Sequence, residues 1–337
     1  MIPFIQKLAK GRHLSLDESQ AAMREIMEGR AMPAQIAAYL TALAIKGPSP
    51  DEIAGAALVM RQMATRIDVG DLPVIDTCGT GGTGRGTFNI STCAALVAAG
   101  AGAYVAKHGN RGATSPCGSS DVLEALGVNV QASPAVVARC IREAHMGFLF
   151  APALHGAMKF AAPVRKEIGI RTIFNLLGPL TNPAGARRQV MGVFSRDLVP
   201  LIAQVMLRLG TEHALVVHSE DGLDEISLSA PTHVSEVRGG SVTCYDLSPE
   251  VLGLAEAPPD LLRAENAQES AGAVRSVLSG EAGPRRDVVL ANAAAALYVS
   301  GVACDIHDGL QRAAAGIDSG AAARVLASLV ALSHEAV

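Results

Sequence analysis

The feature that most constrains the fold is an alternation of short β-branched runs with helix-like segments, which begins at Val74. The runs have the length and composition of buried strands. They occupy residues 74–76, 103–106, 148–150, 190–193 and 214–217. This alternation predicts an α/β fold with a mostly parallel central sheet and helices packed on it. Two later runs, at 232–237 and 241–245, predict antiparallel strands.

The first 72 residues contain no such runs and have the pattern of helices. Ser15 and Ser49 each precede a glutamate by three positions, which is the capping-box signature of a helix N-terminus. Pro33 marks the start of the helix between them. We therefore expect this part to be all-helical, with a role in packing and in forming an oligomer.

The strand–helix alternation is interrupted by a helix-like segment with several prolines, which we expect to return to the helical part. Both domains are then discontinuous. A chain of 337 residues is long enough that two domains are expected rather than one. The small all-helical domain would comprise residues 1–72 and about 163–185. The larger α/β domain would comprise residues 73–162 and about 186–337.

Composition narrows the function classes. The net charge of −4 does not favour binding to the phosphate backbone of a nucleic acid, and the 3% aromatic content does not favour stacking on its bases. The six cysteines form no close pair, which is typical of reduced thiols rather than of a disulfide framework or a zinc site. The start of the chain lacks a charged segment leading into a long apolar run. We expect a cytoplasmic protein that binds neither membranes nor nucleic acid.

A glycine-rich run, GTGGTG at 79–84, follows the first predicted strand. Its spacing matches G-x-G-x-x-G, but the next helix begins near 89–91, and the next strand ends in Lys107 where a ribose-binding acid would be expected. No Gly-Lys-Ser/Thr is present for a Walker A loop. Backbone amides before a helix N-terminus with Ser91 and Thr92 suit a phosphate, although an ordinary turn explains the loop alone equally well.

Two polar clusters also follow predicted strands. In the first, Lys107 can supply charge to a phosphate and Asn110 offers a donor and an acceptor, because ligands of open α/β sheets bind beyond the carboxyl ends of strands. Arg111 is better explained as a structural salt-bridge partner. The second cluster contains Asp224 and Glu225, whose adjacent carboxylates suit Mg²⁺, although an acidic loop is more often simply solvated.

These residues belong to an ordered set of motifs through which the chain resembles the anthranilate phosphoribosyltransferase family over nearly its whole length. The motifs are GTGG at 79–82, FNIST at 88–92, KHGNR at 107–111, GSSDVLEALG from 118, APVR at 162–165, RTIFNLLGPLTNPAG from 171 and DGLDEISL from 221. Each alone could arise by chance, whereas the ordered set is specific. Pyrimidine nucleoside phosphorylases share the architecture but lack KHGNR and GPLTNP.

The resemblance implies a homodimer that transfers the phosphoribosyl group of phosphoribosyl pyrophosphate to anthranilate, with Mg²⁺, at a site between the domains. The implied contacts of phosphoribosyl pyrophosphate are Gly79, Gly82, Thr83, Thr87, Asn89, Ile90, Ser91, Thr92, Lys107, Ser115 and Ser119. The implied contacts of anthranilate are Gly79, Asn110, Arg165, His108 and His155. The implied Mg²⁺ positions are Ser91, Asp224 and Glu225. Catalysis is expected to depend on Lys107, Asp224 and Glu225.

The chain departs from the family's pattern in two loops. Thr83 stands where the glycine loop usually has aspartate, and Pro116 stands where lysine is usual, followed by Cys117 in place of serine. An acid and a base of the anion site are therefore missing. These departures leave open a compensated active site, weakened substrate binding or a divergent paralogue. The alternatives to the transferase are a pyrimidine nucleoside phosphorylase-like enzyme, a paralogue with a different aromatic amine as acceptor, and a non-catalytic ligand-binding relative.

Overall fold

The computed structural model describes residues 1–112 and 117–335. The N-terminal helices are α1 (Ile2–Leu8), α2 (Leu16–Met27), α3 (Pro33–Lys46) and α4 (Pro50–Met63). The strands are β1 (Val74–Gly79), β2 (Tyr104–Gly109), β3 (Met146–Phe150), β4 (Arg188–Gly192), β5 (His213–Ser219), β6 (Thr232–Arg238) and β7 (Ser241–Leu247). The remaining α-helices are α5 (Ile90–Gly100), α6 (Ser119–Ala125), α7 (Pro134–Ala144), α8 (Ala151–Leu154), α9 (Ala162–Ile168), α10 (Phe174–Leu177), α11 (Leu198–Arg208), α12 (Pro249–Leu252), α13 (Ala267–Leu278), α14 (Pro284–Ser300), α15 (Ile306–Asp318) and α16 (Ala321–Ser333). Short 3₁₀ helices occupy Gly156–Phe160, Gly178–Leu180 and Pro259–Leu262.

The strands form one sheet in the order β3-β2-β1-β4-β5-β6-β7. The first five strands in this order, β3, β2, β1, β4 and β5, are parallel to one another. Strand β6 runs antiparallel to β5, and β7 runs antiparallel to β6. The predicted α/β class with a mostly parallel sheet is therefore confirmed. From β1 the chain adds β2 and β3 on one side and then crosses to β4 on the other. Such a reversal opens a crevice at the carboxyl ends of the strands, where α/β proteins bind ligands.

All seven strands are longer in the structure than in the sequence pattern, and β1 and β2 are the two whose added residues line the site described below. β1 continues from 76 to Gly79 because Cys78 and Gly79 pair with β4, and β2 continues from 106 to Gly109 because its end pairs with β3. Pairing with one neighbouring strand keeps each of these strand ends in the ladder. Lys107 and His108 thus lie within a strand, where their directions are fixed by the pleat.

The N-terminal helices begin where their caps predict. The Ser15 hydroxyl accepts from the Glu18 N–H, and the Glu18 carboxylate accepts from the Ser15 N–H. Ser49 and Glu52 form the same reciprocal pair at α4. These caps satisfy backbone donors that a helix N-terminus leaves unpaired.

The interrupting segment packs into the hydrophobic core of the N-terminal helices. Val164 of α9 and Phe174 of α10 lie in the same buried cluster as Leu40 of α3 and Met60 of α4. This cluster continues without a break to Val216 on one face of the sheet. A second large cluster, centred on α5 and α14, covers the opposite face.

Within 1–112 and 117–335, no single helix is both long and apolar enough to cross a membrane. α15 and α16 satisfy the length and composition criteria only as a pair, and a 65° bend separates them.

Candidate functional site

A cleft of about 750 Å³ opens at the carboxyl ends of the parallel strands, between the sheet and the interrupting segment. This volume is in the range of small-molecule sites. The sheet contributes the loop after β1, the end of β2 and the acidic loop after β5, which we define as residues 220–225. The helical side contributes Met60, Arg165 and Phe174. The cleft therefore brings together motifs that are far apart in the sequence.

The glycine loop, defined here as residues 79–86, packs directly on Asp224. The Gly81 N–H donates to Asp224 Oδ2 at 3.0 Å. A Cβ atom at Gly79 would lie 2.6 Å from the same oxygen, and one at Gly192 would lie 1.6 Å from the Asp224 carbonyl oxygen. Glycine is required at 192, where the backbone of the acidic loop leaves no space for a side chain, whereas a side chain at 79 would displace the Asp224 carboxylate.

Glu225 is half-buried, and only one of its two carboxylate oxygens has a hydrogen-bond partner among the described residues. Its Oε1 accepts from the Ser91 N–H at 2.9 Å, whereas Oε2 has no hydrogen-bond partner among the described residues. Burial and the neighbouring Asp224 raise the pKa of Glu225 to about 8, and burial also raises the pKa of Asp224. Two adjacent half-buried carboxylates, one with an oxygen that has no partner among the described residues, are the hard oxygen donors that Mg²⁺ prefers.

The described residues include no group of three or more His, Cys, Asp or Glu side chains that could hold a metal. The acidic pair with Ser91 fits Mg²⁺ only as a partial set of ligands. Mg²⁺ usually keeps waters and takes substrate phosphates in addition to one or two carboxylates. The donor set therefore suits an ion that arrives with a phosphorylated substrate.

Lys107 brings a cation to the floor of the cleft. It is 1% exposed, its Nζ donates to the Thr77 carbonyl oxygen, and Nζ lies 3.5 Å from the Ser91 hydroxyl. Burial lowers the pKa of Lys107, and the carboxylates of Asp76 and Glu225 oppose that shift. A buried cation beside the N-terminus of α5 is placed to bind an anion.

Sequence reasoning missed Asp76 and Asn182, which hold β1 and β2 together beneath the cleft. The Asn182 amide donates to Asp76 Oδ2 and to the Ala106 carbonyl oxygen, both at 2.8 Å. Asp76 Oδ1 accepts from the His108 N–H at 3.1 Å. A carboxylate inside an apolar strand and an asparagine in GPLTNP were the available signals.

His108 and His155 form a buried pair at the helical side of the cleft, with their Nε2 atoms 3.2 Å apart. His108 Nδ1 lies 3.1 Å from the Gly178 carbonyl oxygen, so Nδ1 carries the hydrogen and Nε2 accepts from His155. Burial lowers the pKa of His108 to about 3 and that of His155 to about 4. Both rings are therefore neutral at physiological pH.

Arg165 lines the same side of the cleft and forms no ion pair with a carboxylate among the described residues. Its guanidinium lies 5.1 Å from the centre of the Phe174 ring, and burial lowers its pKa. Asn110 lies exposed at the mouth, where its Oδ1 accepts from the Arg111 N–H at 2.7 Å. Arg111 itself pairs with Asp121 and Glu124, which confirms its structural role.

The predicted substrate residues fall into two groups. Those that line the cleft are Gly79, Gly82, Asn89, Ser91, Lys107, His108, Asn110, Ser119, His155, Arg165, Asp224 and Glu225. Those that are described but do not line it are Thr83, Thr87, Ile90 and Thr92. Thr87 pairs with Arg263, and Ile90 and Thr92 are buried in α5. Ser115 and Pro116 lie outside the described residues.

Two further polar residues at the site were not predicted from the sequence. Asn292 of α14 lines the cleft and holds the backbone of Ile226, directly after the acidic pair. Arg171, which follows α9, reaches the glycine loop and donates to the Gly82 carbonyl oxygen at 2.8 Å. Both contacts join distant parts of the chain, so no local pattern indicates them.

Comparison with known proteins agrees with this arrangement. Residues 71–323 match the glycosyl transferase family, a/b domain, and residues 2–64 match the glycosyl transferase family, helical bundle domain. The chain is 53% identical over 333 residues to the anthranilate phosphoribosyltransferase of Methylobacillus flagellatus, covering 98% of each chain.

Solved structures give the same result. The crystal structure of anthranilate phosphoribosyltransferase from Thermus thermophilus superposes with a TM-score of 0.94 at 44% identity, covering 98% of this chain and 99% of that one. The Saccharomyces cerevisiae enzyme in complex with phosphoribosyl pyrophosphate and Mg has a TM-score of 0.89 at 28% identity, with 98% and 97% covered. Because the matches span both domains and the ordered motifs surround one cleft, the chain belongs to the anthranilate phosphoribosyltransferases of this glycosyl transferase family.

Proposed function

We propose that the protein transfers the 5-phosphoribosyl group of phosphoribosyl pyrophosphate to the amino group of anthranilate. The products are N-(5-phosphoribosyl)anthranilate and pyrophosphate, a step of tryptophan biosynthesis. The observation that carries this proposal is the polarity of the cleft: the acidic pair with Lys107 lies on the sheet side, and Arg165, without a carboxylate partner among the described residues, lies on the helical side. The names of the relatives support the same reaction.

Phosphoribosyl pyrophosphate would bind against the sheet side. The amides of Gly79 and Gly82, the N-terminus of α5 with Asn89 and Ser91, and Lys107 offer donors for its phosphates. Ser91, Asp224 and Glu225 would hold Mg²⁺, which when bound supplies neutralisation of the pyrophosphate charge. As pyrophosphate leaves, the ribose carbon would develop oxocarbenium character, and these residues would contribute positioning and electrostatic stabilisation.

Anthranilate would bind on the helical side, with its carboxylate on the guanidinium of Arg165. Arginine suits this task because it can bind a carboxylate through two parallel hydrogen bonds. The neutral pair of His108 and His155 adds no positive charge that would compete for the carboxylate. The aromatic amine attacks while neutral, so the step needs no strong base.

We also propose a homodimer formed through the N-terminal helices. Ile2 of α1 and Ile45 of α3 are 57% and 82% exposed, and the two helices pack against each other. Exposed large apolar side chains on adjoining helices favour a partner surface. Light scattering should give twice the mass of the chain, and Ile45→Asp should give a monomer. A wild-type monomer would contradict this proposal.

We also propose how the chain divides into domains and in which cellular compartment the protein works. The packing of Val164 and Phe174 with Leu40 and Met60 supports a helical domain of residues 1–72 with about 163–185. The α/β domain would then comprise residues 73–162 with about 186–337. The six cysteines are present as thiols, which supports work in the reducing cytoplasm.

The decisive experiment follows anthranilate fluorescence with phosphoribosyl pyrophosphate, with and without Mg²⁺. Consumption that requires both would support the function and the ion together. Consumption without Mg²⁺ would contradict the role of the acidic pair. Binding of both substrates without turnover, or phosphorolysis of uridine in its place, would instead identify a non-catalytic relative or a phosphorylase.

A further inference from the structure

Arg171 contacts the glycine loop, and the proposed function gives this contact no role so far. It follows α9 and reaches the glycine loop, where its Nη2 donates to the Gly82 carbonyl oxygen at 2.8 Å. The guanidinium also lies over the Phe194 ring, 4.2 Å from its centre. One planar cation thus contacts a backbone oxygen of the loop and an aromatic face beyond β4.

Phe194 is itself attached to the same loop. Its backbone N–H donates to the Thr80 hydroxyl at 3.0 Å, and the Thr80 N–H donates to the Gly192 carbonyl oxygen at 2.8 Å. The aromatic ring that supports Arg171 is therefore fixed to the start of the loop that Arg171 holds further on. The four contacts form one connected network.

The glycine loop needs such external contacts. Gly81, Gly82, Gly84 and Gly86 all have positive φ, between 62° and 78°. Glycine adopts this conformation without a steric penalty, but it also reaches many others, so the loop has little conformational preference of its own. Two consecutive residues are anchored from different parts of the chain: Gly81 by Asp224 and Gly82 by Arg171.

The anchor at Gly82 has a directional consequence. In a trans peptide unit the carbonyl oxygen and the following N–H point in opposite directions. By holding the Gly82 carbonyl oxygen, Arg171 also fixes the direction of the Thr83 N–H, which points away from it. A loop whose peptide units are already oriented loses less entropy when it binds a phosphate.

We infer that Arg171 is a positioning residue, which orders the glycine loop for phosphoribosyl pyrophosphate from the acceptor side of the cleft. This inference rests on the proposed function. Arg171 and Arg165 belong to the same segment but act on different substrates: Arg165 faces the cleft directly, and Arg171 acts through the loop. The two arginines should therefore have separable kinetic signatures.

The test compares Arg171→Ala with wild type in steady-state kinetics and in hydrogen exchange. Loss of one hydrogen bond and one cation–π contact should raise the KM for phosphoribosyl pyrophosphate by about tenfold. The KM for anthranilate should stay within about twofold, because Arg171 does not line the cleft in which the acceptor would bind. Exchange of the amides at 80–86 should become faster, while exchange in α5 and β5 stays unchanged.

Two variants complete the test. Arg171→Lys keeps a cationic donor and should recover part of the affinity for phosphoribosyl pyrophosphate. Phe194→Leu should weaken this binding on its own, but should cause no further loss when it is combined with Arg171→Ala. Arg238→Ala is the matched control, since Arg238 lies over Tyr298 and donates to its hydroxyl away from the cleft.

Equal increases in both KM values, or unchanged exchange at 80–86, would overturn the inference. Because the exchange measurement needs no turnover, it stays informative even if wild type fails to use anthranilate. That failure would overturn the proposed function instead.

Discussion

The Ser91 N–H donates to Glu225 Oε1 at 2.9 Å and joins two residues that are 134 positions apart. This bond fixes the acidic loop against the first turn of α5. It occupies one carboxylate oxygen with a backbone donor and leaves the other oxygen without a partner among the described residues. The free oxygen costs folding energy because it is buried, so it is best explained by a ligand.

Glu225→Gln tests this explanation. The amide oxygen can still accept from Ser91, but the charge that would hold Mg²⁺ is lost, and we expect kcat to fall about a hundredfold. Removing a buried carboxylate should leave the unfolding temperature equal or higher. Turnover is measured against Mg²⁺ concentration, and Glu220→Gln on the same loop is the control. A stable variant with wild-type turnover would remove Glu225 from the metal site.

Asn292 should support the same loop from below. Its amide donates to the Ile226 and Val288 carbonyl oxygens, both at 2.9 Å, and its oxygen accepts from the Ile226 N–H at 3.0 Å. Asn292→Asp removes both donations and adds a buried charge, so we expect a loss of about 3 kcal/mol in the free energy of unfolding.

Urea unfolding measures this loss. Asn266→Asp is the surface control, because aspartate keeps the cap of α13 and loses only the exposed contact of the Asn266 amide with Glu269. If both variants lose the same stability, the contact with Ile226 has no special role.

Local sequence patterns were sufficient for the elements of the fold. The caps at Ser15 and Ser49 and the strand–helix alternation depend on interactions between near neighbours, and these were predicted correctly. The limits of β1 and β2 were not, because residues such as Cys78 remain in the sheet through pairing with β4. Strand ends therefore depend on partners that the local sequence does not contain.

The motifs of the site were also visible in the sequence, but their mutual contacts were not. Asp76 and Asn182 are 106 positions apart, and Arg171 and Gly82 are 89 apart. Both contacts exist because the interrupting segment returns to the cleft. A residue such as Thr92, which belongs to a binding motif, is instead buried within its helix. Motif membership thus predicts the region of a site better than the atoms that face it.

Arg165→Ala should separate the two substrates. Without the guanidinium the anthranilate carboxylate loses its charge-assisted hydrogen bonds, and we expect its KM to rise about a hundredfold. The KM for phosphoribosyl pyrophosphate should change much less. Both constants are measured by anthranilate fluorescence, with the exposed neighbour Lys166→Ala as control. Equal effects on both substrates would exclude Arg165 from the acceptor position.

Thr83→Asp should restore an acid that the family's glycine loop usually carries. Thr83 is half-buried and follows Gly82, which lines the cleft. A carboxylate there adds an oxygen donor to the glycine loop beside Gly82, so the Mg²⁺ or phosphoribosyl pyrophosphate concentration for half-maximal rate should fall severalfold. Thr83→Asn keeps the size without the charge and is the control. Unchanged constants for the aspartate variant would show that the chain does not need this acid.

His108→Asn should reduce the loss of stability in acid. Burial lowers the pKa of His108 from 6.5 to about 3, so between these values the unfolded chain binds a proton that the folded protein does not. Stability is complete above pH 6.5 and falls as the pH decreases toward 3. Between pH 7 and pH 5 this residue should account for about 2 kcal/mol.

Urea unfolding of wild type and variant at both pH values measures the difference. The asparagine amide can still donate to the Gly178 carbonyl oxygen, which His108 Nδ1 contacts at 3.1 Å, so the variant should fold. His155, whose pKa is lowered to about 4, loses its contact with His108 Nε2 in the variant, so His155→Asn and the double variant are measured in parallel to separate the two rings. The exposed His307→Asn gives the general effect of losing an imidazole, which is subtracted. A variant that loses as much stability as wild type between the two pH values would show that His108 is protonated in the folded protein, and that the acceptor side of the cleft is not neutral.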